Sequence, residues 1–156
     1  MPSGHALFAW RDGERIDRRT KRRLLERLIE KGEALPAVAV DWQRLGVALG
    51  NLLDNAITYT PAGGKIALSA RRQGDKEITL TVADTGIGIP AQYLPHVFEK
   101  FFRVPGQSRG AGTGLGLAIV KEIVAAHRGW ASCESAPGKG TAFHLTLPVY
   151  TSSLAA

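Results

Sequence analysis

The run Ile78-Thr79-Leu80-Thr81-Val82-Ala83-Asp84 alternates large apolar residues with small or polar ones, then breaks into Thr85-Gly86-Ile87-Gly88-Ile89-Pro90. A period of two predicts a strand with one buried face, and it puts Ile78, Leu80, Val82 and Asp84 on the same side. Asp84 is therefore directed inward at the strand end, where a carboxylate needs hydrogen-bond donors to offset its desolvation. An amino group on a bound heterocycle is one such donor, and the glycines let backbone approach a flat ring closely. Taken alone, the stretch fits equally well a plain Asp-Thr-Gly turn that closes the strand.

A second constraint lies downstream. The eleven residues Gly106 to Gly116 hold five glycines and no apolar period, after which Leu117, Val120, Ile123 and Val124 predict an amphipathic helix to about His127. A mobile loop so placed brings backbone N–H groups and a helix N-terminus to one point, as anion sites do. It is not a Walker A loop, and Gly138-Lys139-Gly140 lacks the Ser or Thr that motif requires. Nor is it the dinucleotide fingerprint, because Leu stands where the third glycine belongs.

Asp41 predicts the N-cap of a helix running to about Thr58, with Leu45, Leu49, Leu52 and Ala56 as its core stripe. Asn51 and Asn55 stack on another face, an arrangement that does little for a helix and suits a ligand with oxygen or cation chemistry. Two surface asparagines would read the same way. Lys65–Arg72 and Glu77–Asp84 predict an antiparallel pair joined by a tight Gly74-Asp75 turn. Pro90 predicts a short helix and Pro95 a second, carrying Phe98, Phe101 and Phe102 as core aromatics, with Lys100 and Arg103 as cations that can meet phosphate. Trp130–Ser135 and Thr141–Leu147 predict a closing hairpin.

The N-terminal third is less regular: a strand around Ala6 to Trp10, then a helix from about Asp17 to Glu30, stopped at Gly32, whose stripe Leu24, Leu25, Leu28 and Ile29 needs a partner surface. Nine Lys or Arg against five Asp or Glu between Arg11 and Lys31 leave +4 there, most of the chain's formal +6. No aromatic stacking series or zinc-finger spacing accompanies that charge, so a solvated or docking face is expected and a nucleic-acid partner is not. With 156 residues and 44% hydrophobic content the chain suits one globular domain. No apolar run approaches the roughly 20 residues of a membrane span, and residues 1 to 10 lack the form of a signal segment. The expected setting is cytoplasmic, without membrane contact by this chain itself. Cys133, the single cysteine, reads as a small strand residue.

Four segments in this order resemble the catalytic ATP-binding domain of bacterial sensor histidine kinases, a branch of the superfamily that also holds DNA gyrase. Asn51-Leu52-Leu53-Asp54-Asn55-Ala56 resembles the N box and Asp84-Thr85-Gly86-Ile87-Gly88 the first glycine box. Phe98-Glu99-Lys100-Phe101-Phe102-Arg103 is similar to the F box, and Gly112-Thr113-Gly114-Leu115-Gly116-Leu117 to the second glycine box. The resemblance implies an α+β two-layer sandwich of the Bergerat type, a mixed and mostly antiparallel sheet covered on one face by helices. It implies a domain over residues 34–150, preceded by an N-terminal segment at 1–33 and followed by a tail at 151–156.

It further implies ATP and Mg²⁺ as cofactors and carries residue roles with them. Asp84 would accept from the adenine amino group, with Gly86 and Gly88 lining the base pocket and Phe102 and Thr141 also touching nucleotide. Asn55 would ligate Mg²⁺, Asn51 would lie beside the phosphates, and Lys100, Arg103 and the run Gly112, Thr113, Gly114, Leu115, Gly116 and Leu117 would face the phosphates, with residues 104–113 as a lid. Asn51, Asn55, Lys100 and Arg103 would form the catalytic set.

The implied partner is a phosphoacceptor and dimerisation domain and, through it, a response regulator. None of the chain's own histidines is followed by an acid, so that acceptor is expected on another segment or in trans. Three departures stand out. Thr58 replaces the N-box cation; Val47 replaces the glutamate base of the superfamily's ATPases, so fast independent hydrolysis is not expected; and Arg128 stands where the family's pattern has a glycine, at a cost of about 1 kcal/mol if its backbone is left-handed.

Overall fold

The computed structural model describes residues 4–9 as backbone, together with residues 38, 40–107 and 113–149. The helix expected over 17–30 and the tail at 151–156 lie outside the described residues. The strands are β1 (Gly4–Ala9), β2 (Lys65–Gln73), β3 (Glu77–Asp84), β4 (Trp130–Ser135) and β5 (Thr141–Pro148). They form one sheet in the order β1-β2-β3-β5-β4. Every pairing among them is antiparallel, which is the mostly antiparallel sheet expected, without a parallel pair in the described part.

Alternation decides the two faces. Ile66, Leu68 and Ala70 on β2, Ile78, Leu80 and Val82 on β3, and Phe143, Leu145 and Leu147 on β5 are all buried and form one cluster with the helices. The opposite face carries small and polar side chains, among them the cross-strand Thr79–Thr146 pair at 3.2 Å and Thr81 bonded to His144 at 2.8 Å. The aliphatic face has to be buried under a helical layer.

That layer is α1 (Trp42–Tyr59) and α2 (Gly116–Ala126). Asp41 caps α1, its carboxylate accepting from the N–H groups of Gln43 and Arg44 at 3.0 and 3.2 Å. The expected stripe Leu45, Leu49, Leu52 and Ala56 is buried. The two helices run antiparallel and are tied at both ends. His127 Nε2 accepts the Asp41 N–H at 3.0 Å, and Asn51 Nδ2 donates to the Gly116 carbonyl at 3.2 Å. His127 Nδ1 then has to donate to the Ile123 carbonyl, 2.7 Å away, which fixes the neutral tautomer.

α2 ends in a Schellman arrangement, Gly129 N–H to the Val124 carbonyl and Arg128 N–H to that of Ala125. Arg128 takes φ 62°, the left-handed conformation its place in the motif demands. A Cβ on the following Gly129 would stand 2.1 Å from the Thr146 carbonyl, so helix and sheet meet there backbone to backbone.

Three local expectations are corrected. The second helix expected from Pro95 does not form: one 3-10 helix spans Ala91–His96 with Pro95 inside it, and turns follow to Phe101. Phe101 explains the stop, because its φ of 64° breaks any right-handed helix. Phe101 is also 70% exposed, so only Phe98 and Phe102 pack on the core as expected. The β2–β3 turn spans Gly74, Asp75 and Lys76 instead of a two-residue loop, with the Arg72 guanidinium donating to the Gly74 carbonyl and Asp75 carboxylate.

Candidate functional site

Between α1 and the strand ends Asp84 and Thr141 lies a cleft of about 430 Å³. Asn51, Asp54, Asn55, Thr58 and Tyr59 of α1 form one wall; Asp84, Thr141 and Phe143 form the floor. Gly88, Ile89, Val97, Phe102, Arg103, Val104 and Gln107 line a second wall, and Thr113, Gly114, Gly116 and Leu117 close the far end.

The floor is positioned by strand register. Asp84 pairs with Thr141 across β3 and β5 and, by alternation, shares the inner face with Val82 and Leu80. Its Oδ1 accepts the N–H groups of Gly86 at 2.8 Å and Thr141 at 3.2 Å. Among the described residues Oδ2 has no partner, and it is the acceptor offered to the cleft. Burial raises the Asp84 carboxyl pKa, against the lowering effect of those two N–H groups. Burial also pushes the Cys133 thiol up to about 12, with the Asp84 and Glu134 carboxylates adding to the rise, so Cys133 is a packing residue and not a nucleophile.

Two glycines let the surrounding backbone close on this floor. A Cβ on Gly88 (φ 75°) would stand 1.9 Å from the Ala136 carbonyl oxygen, and one on Gly140 (φ 76°) the same distance from that of Asp84. The Asp84 turn and the β4–β5 hairpin are therefore in backbone contact, reinforced by Gly138 N–H donating to the Ile87 carbonyl at 2.8 Å. Any side chain at either position would part them.

At the other end Asn51, bonded through Nδ2 to Gly116, keeps its amide oxygen. The Asn55 amide has no hydrogen-bond partner among the described residues. The turn after Val97 is stitched to the α2 approach by Phe101 N–H donating to the Gly114 carbonyl at 2.9 Å. Gln107 Nε2 donates to the Gly88 carbonyl at 3.0 Å, tying the same wall to the base of the cleft.

Most residues expected from sequence converge here: Asn51, Asn55, Asp84, Gly88, Phe102, Arg103, Thr113, Gly114, Gly116, Leu117 and Thr141 all line the cleft. Lys100 does not; it is 66% exposed and reaches Glu122 of α2 at 3.5 Å. Gly86 serves from behind, as a donor to Asp84 packed near the Tyr59 carbonyl, and Leu115 is likewise off the lining. Gly112 lies outside the described residues, as does half of the expected lid, 108–112. Asp54 and Thr58 were not singled out as site residues, although the 51, 54, 55, 58 spacing puts them on the asparagine face. Tyr59, Gln107 and Phe143 carry no such signal.

A carboxylate acceptor under a pocket edged by Ile89, Val97 and Phe143, with amide oxygens, an arginine and a glycine-rich helix start at the opposite end, is the layout of a purine nucleotide site. Comparison with known proteins agrees. Residues 40–151 match the family described as histidine kinase-, DNA gyrase B-, and HSP90-like ATPase, and the chain belongs to that family.

Among relatives, the adaptive-response sensory kinase SasA of a Synechococcus species is 45% identical over 116 residues, and the sensor protein DivL of Caulobacter vibrioides 43% over 120. These stretches cover 74% and 77% of this chain but 31% and 15% of the relatives, so the chain spans less than a third of their length. Among solved structures, the mycobacterial sensor histidine kinase MprB superposes with TM-score 0.68 at 39% identity, covering 72% of this chain and 76% of that one. Full-length ShkA in complex with AMPPNP gives 0.66 at 33%, covering 76% and 24%. The fold and family are those of a sensor kinase's ATP-binding catalytic domain. Among the described residues no helix is long and apolar enough to cross a membrane.

Proposed function

We propose that residues 34–150 bind Mg-ATP in this cleft and present its γ-phosphoryl group to a histidine on a separate dimerisation domain. In the transfer an imidazole nitrogen attacks the γ-phosphorus, the bond to the β–γ bridging oxygen breaks, and ADP leaves. The observation that carries this reading is the cleft's polarity: Asp84 Oδ2, without a partner among the described residues, at one end, and Asn51, Asn55, Arg103 and the α2 N-terminus at the other. The first suits an exocyclic amino group, the second a polyphosphate. The whole protein would be cytoplasmic at this domain and would pass its phosphoryl group to a response regulator.

The donor set suits Mg²⁺. A hard cation takes oxygen ligands, and the half-buried Asn55 amide has an oxygen to give. Among the described residues no group of three His, Cys, Asp or Glu side chains could hold a metal, so the ion would share its shell with phosphate oxygens and water, the habit of Mg²⁺ in phosphoryl transfer. When bound it supplies charge neutralisation; Arg103 and the amides near Gly114 and Gly116 supply orientation.

A second reading, a nucleotide-binding or docking module without transfer, is favoured by Thr58, whose hydroxyl is spent on the Asp54 carbonyl at 2.8 Å, and by Lys100, which is drawn to Glu122. Incubation with γ-labelled ATP and a cognate acceptor domain separates the two. Labelled phosphohistidine is the expected result; binding without any transfer leaves only the second reading.

A further inference from the structure

The base end of the cleft is furnished by a serine that does not line it. Ser135, the last residue of β4, accepts the Ile89 N–H at 2.7 Å, donates to the Gly140 carbonyl at 2.8 Å, and lies 2.9 Å from Thr141 Oγ1. A hydroxyl has one hydrogen and two lone pairs. The carbonyl can only accept and the N–H can only donate, so the Ser135 hydrogen is committed to Gly140. The contact with Thr141 then has a single arrangement, with Thr141 as donor and Ser135 as acceptor. All of the bonding capacity of Ser135 is used, and the only hydrogen of Thr141 Oγ1 is turned away from any ligand.

Thr141 lines the cleft floor next to Asp84, whose Oδ1 is held by the Thr141 N–H itself. What these two side chains show a ligand is therefore lone pairs alone: Asp84 Oδ2 and Thr141 Oγ1. We propose that Ser135 is a specificity-positioning residue, which by holding the Thr141 hydrogen makes the pocket select 6-amino purines over 6-oxo purines. The inference rests on reading the cleft as an adenine nucleotide site. An amino group brings hydrogens to those lone pairs, whereas an oxo group at the same place sets acceptor against acceptor and leaves buried polar atoms unpaired. Without Ser135 the Thr141 hydroxyl is free to rotate and donate, and the penalty on the oxo group falls.

The test is calorimetric titration of ATP and ITP, both with Mg²⁺, into the wild type and the variants Ser135→Ala, Ser135→Thr and Thr141→Val. The wild type should prefer ATP, and Ser135→Ala should reduce the ATP-to-ITP affinity ratio about fivefold or more, the scale of one mismatched hydrogen bond. Ser135→Thr keeps the hydroxyl and should keep the ratio. Thr141→Val removes the acceptor without gaining a donor, so its ratio should fall, but less than that of Ser135→Ala.

A role of Ser135 in packing alone would weaken both nucleotides alike. An unchanged ratio in Ser135→Ala overturns the inference and leaves the adenine reading standing. Should Ser135→Ala not fold, an unchanged ratio in Thr141→Val has the same force. A wild type that binds neither nucleotide overturns the reading and the inference together.

Discussion

Asp84 is held where burial opposes its charge, and two backbone N–H groups on one oxygen only partly offset that. The folded chain thus binds the Asp84 proton more tightly than the unfolded chain. Between the ordinary carboxylate value and the raised one, the folded state carries more protons, so this group's contribution to stability declines as pH rises through that window and stays at its least favourable above it. Asp84→Asn removes the titration while its amide oxygen still accepts from Gly86 and Thr141. Urea melts at neutral pH should find the variant at least as stable as the wild type, with any advantage shrinking as pH falls through the acidic window; a clear loss at neutral pH would contradict a burial-dominated carboxylate. Arg128 is the opposite case, a residue strained for the backbone and not for a ligand. With φ at 62° on an exposed side chain, Arg128→Gly should raise stability by up to about 1 kcal/mol in the same melts. No gain would mean that the guanidinium makes up for the strain.

The elements carry the site as a pair of braced helices. His127 and Asn51 fasten the two ends of the α1–α2 contact, so the asparagine face and the start of α2 keep a fixed separation. His127→Phe keeps a ring but leaves the Asp41 N–H without its acceptor, and should cost about 1 kcal/mol in urea melts; a neutral result would make the brace incidental. Asn55→Ala should weaken ATP binding in Mg²⁺ far more than in EDTA, because only the contact through the metal is lost. Equal losses in the two conditions would remove Asn55 from the metal. The element scale is also where the sequence was most and least legible. α1 announced itself through its cap at Asp41 and an aliphatic stripe at helical spacing, and β3 through strict alternation up to Asp84. The Phe98–Arg103 stretch did not, because its shape follows from the left-handed Phe101 and its bond to Gly114, a contact between segments that no local period records. That Lys100 lies off the lining was hidden for the same reason: its neighbour Glu122 belongs to α2.

At the scale of the molecule, one aliphatic sheet face needs a helical layer, and the cleft opens between that layer and the strand ends at Asp84 and Thr141. Part of its lining was readable because Asn51, Asn55, Asp84, Gly88, Gly114 and Gly116 sit in short motifs; its shape was not, since Tyr59, Gln107 and Phe143 reach it only through tertiary packing. Val47, 51% exposed on α1, has no group that could act as a base for hydrolysis. The central claim is that this cleft holds an adenine nucleotide with its base on Asp84. The direct measurement is calorimetric titration of a non-hydrolysable ATP analogue, with Mg²⁺, into the wild type and into folded Asp84→Asn. The account predicts saturable one-to-one binding to the wild type and an affinity at least about fivefold lower for the variant, whose amide would turn a donor toward the adenine amino group. Equal affinity for the two proteins, or no binding to the wild type, would contradict it.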